Sequence, residues 1–147
     1  MIVAGVGCRR GAPAPDIETA IRAALARAGI AADALDAIAT PQAKRSEAGI
    51  MTAAEKLGVR VVLVPEVELK AAGARTATRS ERVLALIGVP SVAEAAALAA
   101  AGPSARLVSP RLVIGASKLR IGLRSPVSDN TRSALPRMTS ILVSCLI

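Results

Sequence analysis

Three segments of this chain hold residues suited to binding or polarising a charged ligand. The first is Gly5-Val6-Gly7-Cys8-Arg9-Arg10-Gly11, between a short apolar run and a stretch with helical spacing. Glycines let a ligand approach the backbone closely, and the start of the following helix adds free N–H groups and positive potential. Arg9 and Arg10 add forked donors matched to carboxylates or phosphates. The segment reads as an anion-binding loop of Gly7, Cys8, Arg9, Arg10 and Gly11; a tight turn with solvated arginines is the plainer alternative. It is not the dinucleotide fingerprint, because the third glycine comes four residues after the second and no acid follows the next strand. Without Gly-Lys-Ser/Thr it is not a nucleoside-triphosphate loop either.

The second segment is Ala39-Thr40, Lys44, Glu47 and Gly49. A lysine and a carboxylate at a strand end can polarise a substrate or act as a base pair, although such a pair near a helix start is more often a surface ion pair. The third is Gly88-Val89-Pro90-Ser91-Val92-Ala93-Glu94-Ala95. Ser91 and Glu94 have the spacing of a capping box, and the same helix start would serve a ligand if it faced the pocket. Cys8 lies beside cations, which lower a thiol pKa, but the chain has no histidine to act as its base. A small packed side chain is the better reading of Cys8.

Composition excludes much else. Phe, Tyr, Trp and His are all absent from the 147 residues. That removes Ser-His-Asp and Cys-His catalysis, histidine-containing zinc sites and aromatic platforms for single-stranded nucleic acid. No metal and no resident cofactor are expected. The net charge is +8, and about half of it lies from Lys118 onward, so the body carries a modest excess. This suits a pocket for an anionic small molecule better than a nucleic-acid surface. The two cysteines, Cys8 and Cys145, stand at opposite ends and argue against a disulfide framework. No segment reads as a signal peptide or a membrane span, so the expected compartment is the cytoplasm.

These residues need elements to position them. Met1–Val6, Leu35–Thr40 and Val59–Val64 read as buried strands, with further short strands at 105–108, 112–114 and 119–123. Helical spacing covers Asp16–Ala28, a stretch from Ser46 to Leu57 stopped by Gly58, Ser80–Ile87 and the alanine run from Ser91 to Ala101. A single turn of helix is expected at 65–69 and a loop at 71–78. Strands alternating with helices predict an α/β fold: a mostly parallel sheet of about five strands with helices on both faces. One domain is expected over residues 1–124. Residues 125–147 form an atypical Ser/Pro/Arg-rich tail: an added packed segment, a partner-binding strand or the product of a changed reading frame. Truncation after Leu123 is expected to leave the fold intact.

Taken together and in order, the three segments resemble the CobE / CbiG C-terminal family of cobalamin biosynthesis over roughly residues 1–117. The resemblance implies a three-layer α/β/α sandwich on a mixed sheet. It implies a tetrapyrrole-pathway protein of the stand-alone CobE type, whose ligand is a precorrin or corrinoid and whose partners include other enzymes of that pathway. By position, Gly7, Cys8, Arg9, Arg10, Gly11, Thr40, Ser91 and Glu94 become substrate-binding candidates. The full-length CbiG enzyme opens a precorrin-5A-type δ-lactone with release of acetaldehyde, so a hydrolase is the alternative function. Glu47 would then be the base, and Lys44 or the Gly7–Arg10 amides the oxyanion stabiliser. An unrelated anion-binding α/β module is the third reading. The resemblance stops at the end of the chain, where Ser117-Lys118-Leu119-Arg120 opens a charged stretch unlike the family's closing strand.

Overall fold

The computed structural model describes residues 1–77 and 79–108, together with the backbone of 112–113 and 141–146. In chain order the elements are β1 (Ile2–Gly7), α1 (Ala14–Arg27), β2 (Ala37–Pro41), α2 (Ala48–Leu57), β3 (Arg60–Val64), α3 (Glu66–Gly73), α4 (Glu81–Ile87), α5 (Val92–Ala101), β4 (Arg106–Leu107), β5 (Leu112–Val113) and β6 (Ile141–Leu146). Short 3₁₀ turns occupy Ala32–Ala34 and Gln42–Lys44.

The described strands form one six-stranded sheet where about five were expected from the sequence; its body is three parallel strands in the order β3-β2-β1. On the other side of β1 lies β6, and the two-residue strands β4 and β5 both pair with β6. Every pairing among the described residues is parallel, so the mixed sheet implied by the resemblance is not seen there. The strand expected at 119–123 lies outside the described residues.

Alternation along the strands divides the core into two faces. Ala4, Val6 and Ile38 point to one face, where they meet Ile17, Ile21 and Leu25 of α1 and Ile50 and Ala53 of α2. Val3, Ala37, Ala39 and Val64 point to the other, against Leu69 and Ala72 of α3 and Ala95, Ala96 and Leu98 of α5. The result is the three-layer α/β/α sandwich. Both faces are covered, which is why β1 is buried from Val3 to Gly7.

Local chemistry sets the ends of the helices. Gly58 and Gly88 adopt φ of +68° and +73° and stop α2 and α4 in the left-handed conformation that favours glycine. Two expected caps are not formed. Ser46 stands outside α2, whose flanking residue is Glu47. Ser91 precedes α5 but makes no capping bond with its side chain. α3 runs on to Gly73 through the first part of the expected loop, because Leu69 and Ala72 are drawn into the core under α5.

The alanine-rich sequence of α5 has a specific purpose. A Cβ added to Gly5 would lie 2.0 Å from the Ala93 carbonyl oxygen and 2.7 Å from the Ala97 Cβ. The helix therefore rests on the bare backbone of the central strand, and only methyl-sized side chains fit between them. Gly5→Val should destabilise the protein by roughly 3 kcal/mol, read as a lowered urea midpoint by circular dichroism. Wild-type stability would show that α5 can move away without cost. β6 gives a second expectation, opposite to the one drawn from sequence. Its pairing with Ile2–Gly7 covers one side of β1, so truncation after Leu123 should lower the melting temperature or yield insoluble protein. An unchanged melting temperature would mean that this pairing adds nothing.

Candidate functional site

β1, β2 and β3 end at the same edge of the sheet, and the segments leaving them surround a cleft of about 1020 Å³. The end of β1 supplies Gly7 and Cys8, and the turn after β2 supplies Pro41 through Ser46. Val64, Glu66, Leu69 and Lys70 come from the end of β3 and from α3. The last wall is Val83, Leu86, Ile87 and Gly88 of the α4 segment, with Val92 of α5. The carboxyl edge of a parallel sheet is where α/β proteins place ligands, because loops and helix starts converge there.

Several of the residues singled out in the sequence build this edge instead of lining the cleft. The Thr40 hydroxyl is fully buried and donates to the Val6 carbonyl oxygen at 2.9 Å, which fixes the end of β2 to the end of β1. Glu47 joins the two loops. One carboxylate oxygen accepts the Gly11 N–H at 2.8 Å, and the other accepts Lys44 Nζ at 3.2 Å. Next to it Gly49 comes so close that an added Cβ would lie 2.1 Å from the Ala12 carbonyl oxygen. Thr40, Glu47 and Gly49 thus hold the loop after β1 against the start of α2.

The arginines of the first segment stand apart from the cavity. Arg9 and Arg10 are exposed, as is Gly11, and none of the three lines the cleft. Arg10 does reach Glu47 through its charge. At the cleft itself the cations are Lys44, Arg45 and Lys70, set against the single carboxylate Glu66. Lys70 pairs with Glu66 at 2.6 Å, but both side chains are more than half exposed, so the pair is easily exchanged for a ligand carboxylate. Arg45 is exposed and makes no ion pair among the described residues.

At the start of α5, Ser91 and Glu94 are buried behind the cleft wall. The Ser91 hydroxyl has no hydrogen-bond partner among the described residues. Glu94 accepts the N–H of Ala77 at 2.8 Å and so anchors the segment that leads into α4. Sequence reasoning missed Arg45, Lys70 and the apolar wall of α4. Lys70, four residues after Glu66, looks like an ordinary surface pair. The available signal for α4 was its run Val83-Leu84-Ala85-Leu86-Ile87, too apolar for a solvated helix.

Two ionisable groups are shifted at this edge. Burial pushes the Cys8 thiol up, against the opposing pull of Lys44 and with a further push from Glu47. The thiol is therefore neutral and packs with the α1–α2 core, a poor nucleophile. Glu47 is lowered, first by the Gly11 N–H; desolvation is the next effect and opposes it, and Lys44 and then Arg10 lower the carboxyl further. A carboxylate lowered in this way is a weak base. Its folded pKa lies below its unfolded one, so its contribution to stability is complete above the unfolded value. That contribution disappears as pH falls through the folded value. Glu47→Gln should therefore be less stable than wild type at neutral pH, and the gap should narrow with acidification, as read by urea titrations between neutral pH and the acid range. A gap that is constant with pH would show that the carboxylate charge has no part in the tether.

Comparison with known proteins shows the family. The family model for the cobalamin synthesis G C-terminus matches residues 2–120. Protein CobE of Sinorhizobium sp is 37% identical over 112 residues, which span 76% of this chain and 73% of that protein. The crystal structure of CobE, a protein from the cobalamin (vitamin B12) biosynthetic pathway, superposes with a TM-score of 0.63 at 36% identity, covering 67% of this chain and 70% of its own. The cobalamin biosynthesis protein chiG from Agrobacterium tumefaciens superposes with a TM-score of 0.59 at 49% identity, covering 77% of this chain and 89% of its own. With a family match over most of its length and a curated relative above a third identical, the chain belongs to the cobalamin synthesis G C-terminal family and is a cobalamin biosynthesis protein.

Proposed function

We propose that the chain binds a precorrin-type tetrapyrrole intermediate in the cleft at the carboxyl edge of its sheet, as a non-catalytic component of the pathway. One observation carries this reading: a cavity of about 1020 Å³ with three cations and one carboxylate on its rim and an apolar wall facing them. A corrin precursor is a flat apolar ring fringed with acetate and propionate groups. Lys44, Arg45 and Lys70 would meet those carboxylates, with Gly7 and Cys8 at the floor and Arg9 and Arg10 on the adjoining outer loop. A cleft of this size stands at the upper end of the range for small-molecule sites and has room for a macrocycle.

The family match removes the reading as an unrelated anion-binding module. Between binding and lactone hydrolysis, the state of Glu47 favours binding. Both of its oxygens already accept hydrogen bonds, its basicity is reduced, and it does not line the cleft. Its place is that of a positioning residue that orients Lys44.

Purified protein mixed with isolated pathway intermediates should co-elute with pigment, and visible absorbance reports this cleanly because no amino-acid side chain absorbs there; the near-ultraviolet is clear as well, since the chain has no Trp or Tyr. Pigment recovered unchanged supports binding; a product lacking the acetaldehyde fragment would replace this reading with the hydrolase. Replacing Lys44 and Arg45 together with Gln should weaken binding roughly tenfold at low ionic strength and less at high salt. Arg9→Gln with Arg10→Gln should have the smaller effect, and equal losses in the two variants would return the loop arginines to the centre of the site.

A further inference from the structure

We infer that α4 is the ceiling of the cleft, and that Val83, Leu86 and Ile87 are kept out of the protein core to cover the flat apolar face of the ligand. This rests on the proposed tetrapyrrole reading and assigns a helix to it that neither motif nor family match singles out. None of the seven residues of α4 is buried. Leu86 is 74% exposed and Ile87 40%, yet both line the cleft together with Val83. Positions 83, 86 and 87 fall on one helical face. A helix of this length is marginal in water, and its apolar stripe finds no partner in the core.

The segment is nevertheless well held at its base. Ser80 N–H donates to the Pro90 carbonyl oxygen at 3.0 Å, which clips the two ends of the α4 segment together. Ala77 N–H is tied to Glu94, and Val89 is fully buried. Gly88 turns the chain at φ +73° between the exposed helix and that anchor. An apolar helix is thus suspended from a fixed base over a cavity. The cleft it overhangs carries Lys44 and Arg45 on another of its walls. The occupant that satisfies both sides is one molecule with an apolar face and an acidic edge, and a planar macrocycle with peripheral carboxylates has that form.

The test uses the full chain and cobyrinic acid, a corrinoid with free carboxylates, followed by absorbance titration and by hydrogen exchange of the amides at 81–88. Ligand should slow exchange across α4. Leu86→Asn should weaken binding about tenfold, the loss expected when one leucine no longer buries its side chain on the ligand. Leu86→Met should bind as wild type does. Val67→Asn should be silent, because Val67 is 78% exposed but lies off the cleft. If wild-type protein binds but Leu86→Asn binds equally well and α4 exchange is unaltered, the ceiling is overturned and the tetrapyrrole reading stands. Wild-type protein that binds no corrinoid overturns both. Protection of α4 that appears without ligand and rises with protein concentration would identify a second copy of the chain as what covers it, and would overturn the inference as well.

Discussion

Glu47 shares its carboxylate between a backbone amide and a lysine, and the geometry of the site follows from that division. The exposed Gly11 N–H would otherwise be met only by water, and Lys44 would be one of several mobile surface cations. By accepting from both, the carboxylate brings the loop after β1 to the start of α2 and fixes the direction of Lys44. Gly49 makes the approach possible by offering no side chain to the Ala12 carbonyl. Thr40 completes the arrangement, its buried hydroxyl donating to the Val6 carbonyl oxygen near the end of β1. The floor of the cleft is thus set by backbone-directed bonds, and the exposed side chains Arg45 and Lys70 stand at its lining.

This division of labour accounts for what could be read from the chain alone. Buried strands and the glycine stops at 58 and 88 were legible, since apolar β-branched runs and left-handed helix ends are decided locally. The three-layer arrangement was legible for the same reason: alternating strands and helices have few ways to cover both faces of a sheet. The segments that carry the site were found, but their roles were partly reversed. Arg9 and Arg10 have the forked donors an anion prefers, yet the turn at Gly11 leaves them exposed, outside the cleft lining. Glu47 has the chemistry of a base, and only its bonding partners reveal a tether.

Other differences come from long-range contacts that no local pattern encodes. Ser91 and Glu94 have capping spacing, but Glu94 is claimed by the amide of Ala77, seventeen residues earlier, and the serine hydroxyl receives nothing among the described residues. Among the described short strands that follow α5, neither β4 nor β5 is the partner of β1 on its second side. That partner comes instead from 141–146, a stretch whose composition departs from the rest. Pairing of parallel strands depends on which edge is left open, and an apolar run of six residues can fill it wherever it lies in the chain.

The alanine face of α5 carries a consequence for how this protein can vary. Where a helix lies on bare glycine and its contacts are methyl groups, there is no larger side chain to trim and no hollow to fill. Drift in that layer is confined in both directions, and the anchor of the neighbouring helix, at Val89 and Ser91, is mounted on it. The cavity walls can therefore diversify around an immovable keel: the rim residues are free to change, while the platform from which α4 is hung stays the same.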